Sequence, residues 1–198
     1  EEHTIGVVVE ALLRCSLIDE IIVVSDRSDD RTVLVANQYS VRVVELEENV
    51  GKGGAMKAGA AATTCEVLLF VDADLVGLST EHIRALLDPV LSGRTAMSIG
   101  VFCEGRRTTD LAQKIAPSLS GQRAICKEIF DQVPNLEKSG FGVEVALTQF
   151  AERNDIKIVR VPLQAVSQVM KEEKRGLTLG LLSRLKMYWD IVRSLRIK

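Results

Sequence analysis

Histidine and cysteine are scarce in this chain. Its 198 residues include His3 and His82 and four cysteines, Cys15, Cys65, Cys103 and Cys126, none at CxxC spacing. A structural zinc site needs such ligands clustered at short spacing, so none is expected, and the cysteines read as buried reduced thiols. A basic surplus is also lacking: 25 lysines and arginines face 27 acidic residues, a net charge of -2. That balance excludes a general nucleic-acid binder, whose phosphate contacts need excess positive charge. No apolar run approaches the roughly 20 residues of a membrane-spanning helix. Neither a secretory signal pattern nor an internal repeat is legible, and a cytoplasmic protein is expected.

What is present is enough apolar sequence, 46%, to bury one full core. Charge is unevenly placed. Residues 19–49 hold eight acidic and three basic side chains, whereas 170–198 hold eight basic and three acidic, so the two ends of the chain meet different partners or fields. The division expected is a domain over 1–170 and a basic helical arm over 171–198. In "EEHTIGVVVEALLRC", Ile5, Val8, Val9, Leu12 and Leu13 recur at helical spacing, so the chain opens at the start of a helix.

Strand-like runs rich in Val and Ile occupy 20–26, 41–47, 66–74, 96–102 and 156–163. Helical patterns cover 30–39, 53–64, 80–91, 109–115, 123–133 and 142–153. Strands alternating with helices predict an α/β, Rossmann-like three-layer sandwich with a mostly parallel central sheet. Ligands in such sheets bind beyond the carboxyl ends of the strands. Polar residues collect there: Ser25 and Asp26 after the first run, Glu47 to Lys52 after the second, Asp72 to Asp74 after the third.

Three of these stretches carry chemistry. In "LLFVDADLVG" a greasy strand ends on Asp72 and Asp74, which an extended chain would turn to the same side. With no nearby sulfur or imidazole, a cation there takes oxygen ligands, which favours Mg²⁺ or Mn²⁺ and a substrate diphosphate. Solvated turn formers are the plain alternative. In "NVGKGGAMKAGAAATT", glycines permit close backbone approach, free amides at a helix start favour anions, and Lys52 adds a point charge. The spacing is not that of a Walker loop, and small residues also serve tight helix packing. In "VVSDRSDDRT", Asp29 and Asp30 stand where they cap the next helix, whereas Asp26 stands too early to do so and is available for a base or ribose.

In this order and spacing the three segments resemble glycosyltransferases of the GT-A fold, family 2 in particular, with the related glucosyl-3-phosphoglycerate synthases and dolichyl-phosphate sugar synthases. "PSLSGQRAICKEIFDQVP" and "SGFGVEVALTQFA" are similar to the acceptor side of the same enzymes. The resemblance implies a metal-dependent hexosyltransferase that uses a UDP- or GDP-linked nucleotide-diphospho-sugar and a phosphorylated or lipid-phosphate acceptor. It implies that Asp26 contacts the base, Lys52 lies near the nucleotide, Asp72 binds ribose or metal-bound water, Asp74 holds Mg²⁺ or Mn²⁺, and Gly121 lines the donor sugar. Glu144 matches a family glutamate and is unusual in itself, a carboxylate amid apolar helix positions, which suits a base or a sugar-hydroxyl anchor. Arg107 and Thr109, in "EGRRTTD", match a phosphate-binding segment for the acceptor. Two departures stand out. The family's first strand and base-binding loop have no counterpart beyond Glu1 and Glu2, so the sheet is expected to be one strand short. Gln168 stands where relatives place a metal-ligating histidine.

In the arm, Leu181, Leu185, Tyr188, Val192 and Leu195 form one apolar helical stripe flanked by Arg184, Lys186, Arg193 and Arg196. Such a helix packs on the domain, pairs in a homodimer, or lies against anionic lipid as a peripheral membrane contact. Two other functions remain open on sequence alone: a sugar-nucleotide pyrophosphorylase, and a non-catalytic nucleotide-sugar-binding or scaffold domain.

Overall fold

The computed structural model describes residues 1–103, 120–139 and 142–168. The elements run α1 (Ile5–Leu13), β1 (Ile22–Ser25), α2 (Thr32–Ala36), β2 (Arg42–Glu45), α3 (Gly51–Ala61), β3 (Val67–Phe70), β4 (Leu75–Val76), α4 (Thr80–Leu91), β5 (Met97–Phe102), β6 (Arg123–Cys126), α5 (Lys127–Asp131), a 3-10 turn (Leu136–Lys138), α6 (Val143–Arg153), β7 (Ile158–Leu163) and β8 (Ser167–Gln168). The acceptor segment with Arg107 and Thr109, the helix expected over 109–115, and the arm lie outside the described residues. Among the described residues no helix is long and apolar enough to cross a membrane.

Local sequence sets several boundaries. Ser79 caps α4: its hydroxyl accepts the His82 amide while the His82 ring accepts the Ser79 amide, a reciprocal pair that ties down two end donors. Ile83, Leu86, Leu87 and Val90 then turn one stripe of α4 into the core. The N-cap of α2 is Arg31, which makes no side-chain cap bond; of the expected caps Asp29 and Asp30, Asp30 stands one residue earlier and accepts the Thr32 amide at 3.0 Å. The second strand of a short β-α-β unit follows, with β1 and β2 parallel from Ile22↔Arg42 to Ser25↔Glu45.

The larger sheet has the order β3-β6-β5-β7. It is mixed rather than mostly parallel, because β6 enters between β3 and β5 antiparallel to both, while β5 and β7 are parallel. The helix expected over 123–133 is therefore split. Arg123 to Ile125 are fully buried between two neighbours, and ladder pairing on both edges overrides the helical pattern until α5 begins at Lys127. Helices cover both faces of this sheet. Ala124, Val161 and Leu163 meet α1 and α4 on one side; Leu68, Met97, Ile99 and Ile125 meet α3, α5 and α6 on the other. The three-layer α/β sandwich expected from the sequence is thus observed. Among the described residues strands β1 and β3 do not pair with each other, and a cavity of ≈ 640 Å³ lies between them.

Candidate active site

The carboxyl ends of β1 and β3 and the first turn of α3 meet at one edge of the sheet. Asp26, just past β1, accepts the Val50 amide at 2.7 Å through Oδ1, and its carbonyl accepts the Asn49 side chain at 3.1 Å. One oxygen of Asp26 therefore anchors the entry to α3. Gly53, on that helix, lies so close to the 3-10 turn that a Cβ would stand 1.9 Å from the Leu136 carbonyl oxygen. This contact fixes the height of α3 and with it the position of Lys52.

Lys52 joins two separate stretches of chain. Its Nζ lies 2.7 Å from Asp72 Oδ1 and 2.6 Å from Glu144 Oε1. Strand β3 stops at Phe70, so Asp72 and Asp74 stand on the turn beyond it and not on an extended strand. Glu144 sits in the first turn of α6 with its side chain 8% exposed, so the carboxylate faces inward rather than to solvent. Burial lowers the proton affinity of Lys52, but the carboxylates of Asp72 and Glu144 outweigh it and hold the ammonium above its ordinary value. Burial likewise pushes Asp72 up, yet Lys52 and hydrogen bonds from Gln122 and Gln168 bring the net shift below the ordinary carboxylate value.

Both oxygens of Asp72 are engaged. Gln122 Nε2 donates to Oδ2 at 2.8 Å and Gln168 Nε2 donates to the same oxygen at 2.7 Å. Gln168 arrives by way of the β4–β8 ladder, in which it pairs with Leu75, the residue after Asp74. Gly121 closes the other side: a Cβ there would stand 2.4 Å from Asp72 Oδ2 and 2.6 Å from Lys52 Nζ. Only a glycine permits the backbone to approach the ion pair this closely.

Two residues of the cluster escaped the sequence reading. Gln122 and Arg123 are wholly buried. Ser120 donates its hydroxyl to Gln122 Oε1 at 3.0 Å, which aims the amide at Asp72. Arg123 donates to the carbonyls of Ser120 at 2.8 Å and Glu144 at 3.4 Å. Burial pulls its pKa down to about 10, against the pull of Glu144 and Asp72. The partly exposed Lys52 and the buried Arg123 thus stand against the carboxylates of Asp72 and Glu144. The available signal was an arginine set in "GQRAIC", a glycine followed by a short apolar run, which suits a buried strand as well as a helix.

The donor set fits a hard divalent cation. Asp72 and Asp74 would supply carboxylate oxygens, and Gln168, whose amide nitrogen now donates to Asp72, would turn its amide to offer an oxygen; the cluster holds no thiolate or imidazole. Among the described residues no three His, Cys, Asp or Glu side chains form a closed cage. An ion that keeps waters and takes ligands from a diphosphate needs no such cage.

Comparison with known proteins gives the same direction. Glucosyl-3-phosphoglycerate synthase of Mycolicibacterium paratuberculosis is 29% identical over 206 residues, which cover 85% of this chain and 60% of that protein. The chain spans about 60% of the length of such synthases. Dolichyl-phosphate beta-glucosyltransferase of Drosophila melanogaster is 53% identical over 62 residues, 28% of this chain and 19% of its own. Among solved structures, the Mycobacterium tuberculosis glucosyl-3-phosphoglycerate synthase in complex with Mn²⁺, uridine diphosphate and glucosyl-3-phosphoglycerate superimposes with a TM-score of 0.77 at 27% identity, covering 98% of this chain and 75% of that one. The profile of Glycosyl transferase family 2 matches residues 1–142, and the chain belongs to that family.

Proposed function

We propose that this protein transfers a hexose from a UDP-linked sugar to a small phosphorylated acceptor with the help of Mg²⁺ or Mn²⁺. The observation that carries the reading is the Lys52–Asp72–Glu144 cluster at the carboxyl edge of the sheet. Relatives in the family are crystallised with Mn²⁺, UDP-glucose and glycerol 3-phosphate, and with Mg²⁺ and UDP, which supports the choice of donor and ion.

Asp74 with Asp72 and Gln168 would hold the cation, which when bound supplies electrophilic stabilisation of the charge on the diphosphate. Lys52 adds a fixed ammonium, kept protonated by its two carboxylates, at the same place. It stabilises the departing nucleotide because negative charge grows there as the glycosidic bond breaks. Asp26 is assigned to the base through the carboxylate that also holds Val50, and Gly121 to the wall of the donor-sugar pocket. Glu144, brought inward by α6, is assigned to a hydroxyl of the sugar or acceptor, and Arg107 and Thr109 to the acceptor phosphate. A cytoplasmic setting belongs to this proposal, with the arm 171–198 at the membrane surface or in a dimer. A lipid-phosphate acceptor is the second reading, favoured by the 53% identity to the dolichyl-phosphate enzyme, though over only 28% of this chain.

The test is a transfer assay with radiolabelled UDP-glucose and 3-phosphoglycerate, with dolichyl phosphate in parallel. Mn²⁺-dependent product that disappears in EDTA and in Asp74→Asn is the expected result. Equal product in EDTA would overturn the assignment of the ion, and no product from any UDP- or GDP-sugar with either acceptor would overturn the transferase reading.

A further inference from the structure

Arg123 is the first residue of β6 and is wholly buried. Its backbone pairs with Phe70 on one side and Ile99 on the other, so the side chain leaves from a point that two ladders hold still. From there the guanidinium forks. Nη2 donates to the Ser120 carbonyl at 2.8 Å and Nη1 to the Glu144 carbonyl at 3.4 Å, acceptors from separate stretches of chain. Its Nε has no hydrogen-bond partner among the described residues. The fork is thus turned to reach both carbonyls although this leaves one buried donor unpaired, which packing alone does not explain. An apolar side chain of similar volume would fill the same space without burying a charge.

These two bonds close a circuit around the ion cluster. Asp72 meets Lys52 at 2.7 Å, and Lys52 meets the Glu144 carboxylate at 2.6 Å. Arg123 holds the Glu144 backbone and the Ser120 backbone together; the Ser120 hydroxyl donates to Gln122 at 3.0 Å, and Gln122 donates back to Asp72 at 2.8 Å. Gly121 lies between Ser120 and Gln122. The corner that brings it against Asp72 is therefore the corner that Arg123 grips. Lys52 joins the carboxylates from one side, and Arg123 joins their supports from the other.

We propose that Arg123 is a positioning residue, which sets the separation between the Gly121 corner and Glu144 and so the geometry in which the sugar is held for transfer. It acts through the backbone of Ser120 and Glu144. A lysine, a point charge on a flexible stem, cannot fix two carbonyls in set directions as the planar fork does. The functional half of this inference rests on the assignment of Gly121 and Glu144 to the transfer site; the structural half rests on the hydrogen bonds alone.

A double-mutant cycle on the contact across the circuit supplies the test. The coupling between Lys52 and Glu144 is measured from urea unfolding of the chain with Lys52→Met, with Glu144→Gln and with both, first with Arg123 in place and then in Arg123→Lys and Arg123→Met backgrounds. The expected result is a coupling constant at least about fivefold smaller in both backgrounds. Loss of packing alone lowers every member of a cycle equally and leaves the coupling as it was. Thr148 also donates to the Glu144 carbonyl at 2.9 Å, so the start of α6 keeps a partner when Arg123 is changed. Arg123→Lys keeps a cation in place and decides the matter where Arg123→Met does not fold. Turnover of UDP-glucose should fall at least about tenfold in Arg123→Lys while affinity for UDP with Mn²⁺ stays within about twofold, since a small misplacement of reacting groups is felt in the rate. No coupling between Lys52 and Glu144 in the parent chain, an unchanged coupling in Arg123→Lys, or turnover that is unchanged or falls only in step with UDP affinity would overturn the proposal. If the parent chain transfers nothing, the transferase reading falls and the cycle alone decides.

Discussion

The four-stranded sheet and the β1–β2 pair solve burial in opposite ways. In the four-stranded sheet, Met97, Ile125 and Leu163 are fully buried between helices, and even the charges brought inside are matched, Lys52 with Asp72 and Glu144. In the β1–β2 pair, Ile22, Val23 and Val24 remain half-buried, and the edge of β1 that faces β3 borders an apolar cavity. The difference teaches where stability and chemistry reside. Packing is concentrated around β5 and β6, and the polar cluster is built onto that firm half, while the other half is held mainly through α1, α2 and α3.

Substitutions separate the two halves most sharply. Ile125→Ala should cost about 4 kcal/mol in urea unfolding, because a fully buried side chain leaves a cavity between tight neighbours, whereas Val23→Ala should cost about 1 kcal/mol. Equal losses would contradict the contrast. Lys52→Met comes next, at about 3 kcal/mol near neutral pH, since two carboxylates lose their shared cation. The effect carries a pH signature. The carboxyl of Asp72 is held below its ordinary value of 3.8, so its stabilisation is complete above that pH and is lost as the pH falls through the lower folded value. Without Lys52 the folded value rises, and the acid limb of the stability curve should move to higher pH. Gly53→Ala should cost about 2 kcal/mol by pushing α3 off the Leu136 carbonyl. Lys57→Ala, which removes an exposed pair with Glu137, should leave the thermal midpoint unchanged. A clear drop there would mean that the surface of α3 matters more than its packing.

Local signals in the sequence reached some of this and not the rest. Helix α4 is legible to the residue because its cap and its apolar stripe agree. The acids at the strand ends are legible because the greasy runs before them are. Strand β6 was not, since "RAICKEIF" carries a helical pattern and only its two ladder partners, distant in sequence, make its first half a strand. The same long-range dependence hides the site's wiring. Lys52, Asp72, Glu144 and Gln168 come from four separate stretches, and nothing local announces that the lysine is shared between two acids or that Gln122 steers one of them. Arg123 was hidden for a simpler reason: an arginine is rarely wholly buried.

The central claim is that the acids at this edge of the sheet bind a nucleotide-sugar through a divalent cation. Calorimetric titration of UDP-glucose tests it most directly, with Mn²⁺, with EDTA, and with Mn²⁺ on Asp74→Asn. The account predicts binding with Mn²⁺ that weakens at least about tenfold in EDTA and in the variant. Binding of equal strength in all three would contradict it.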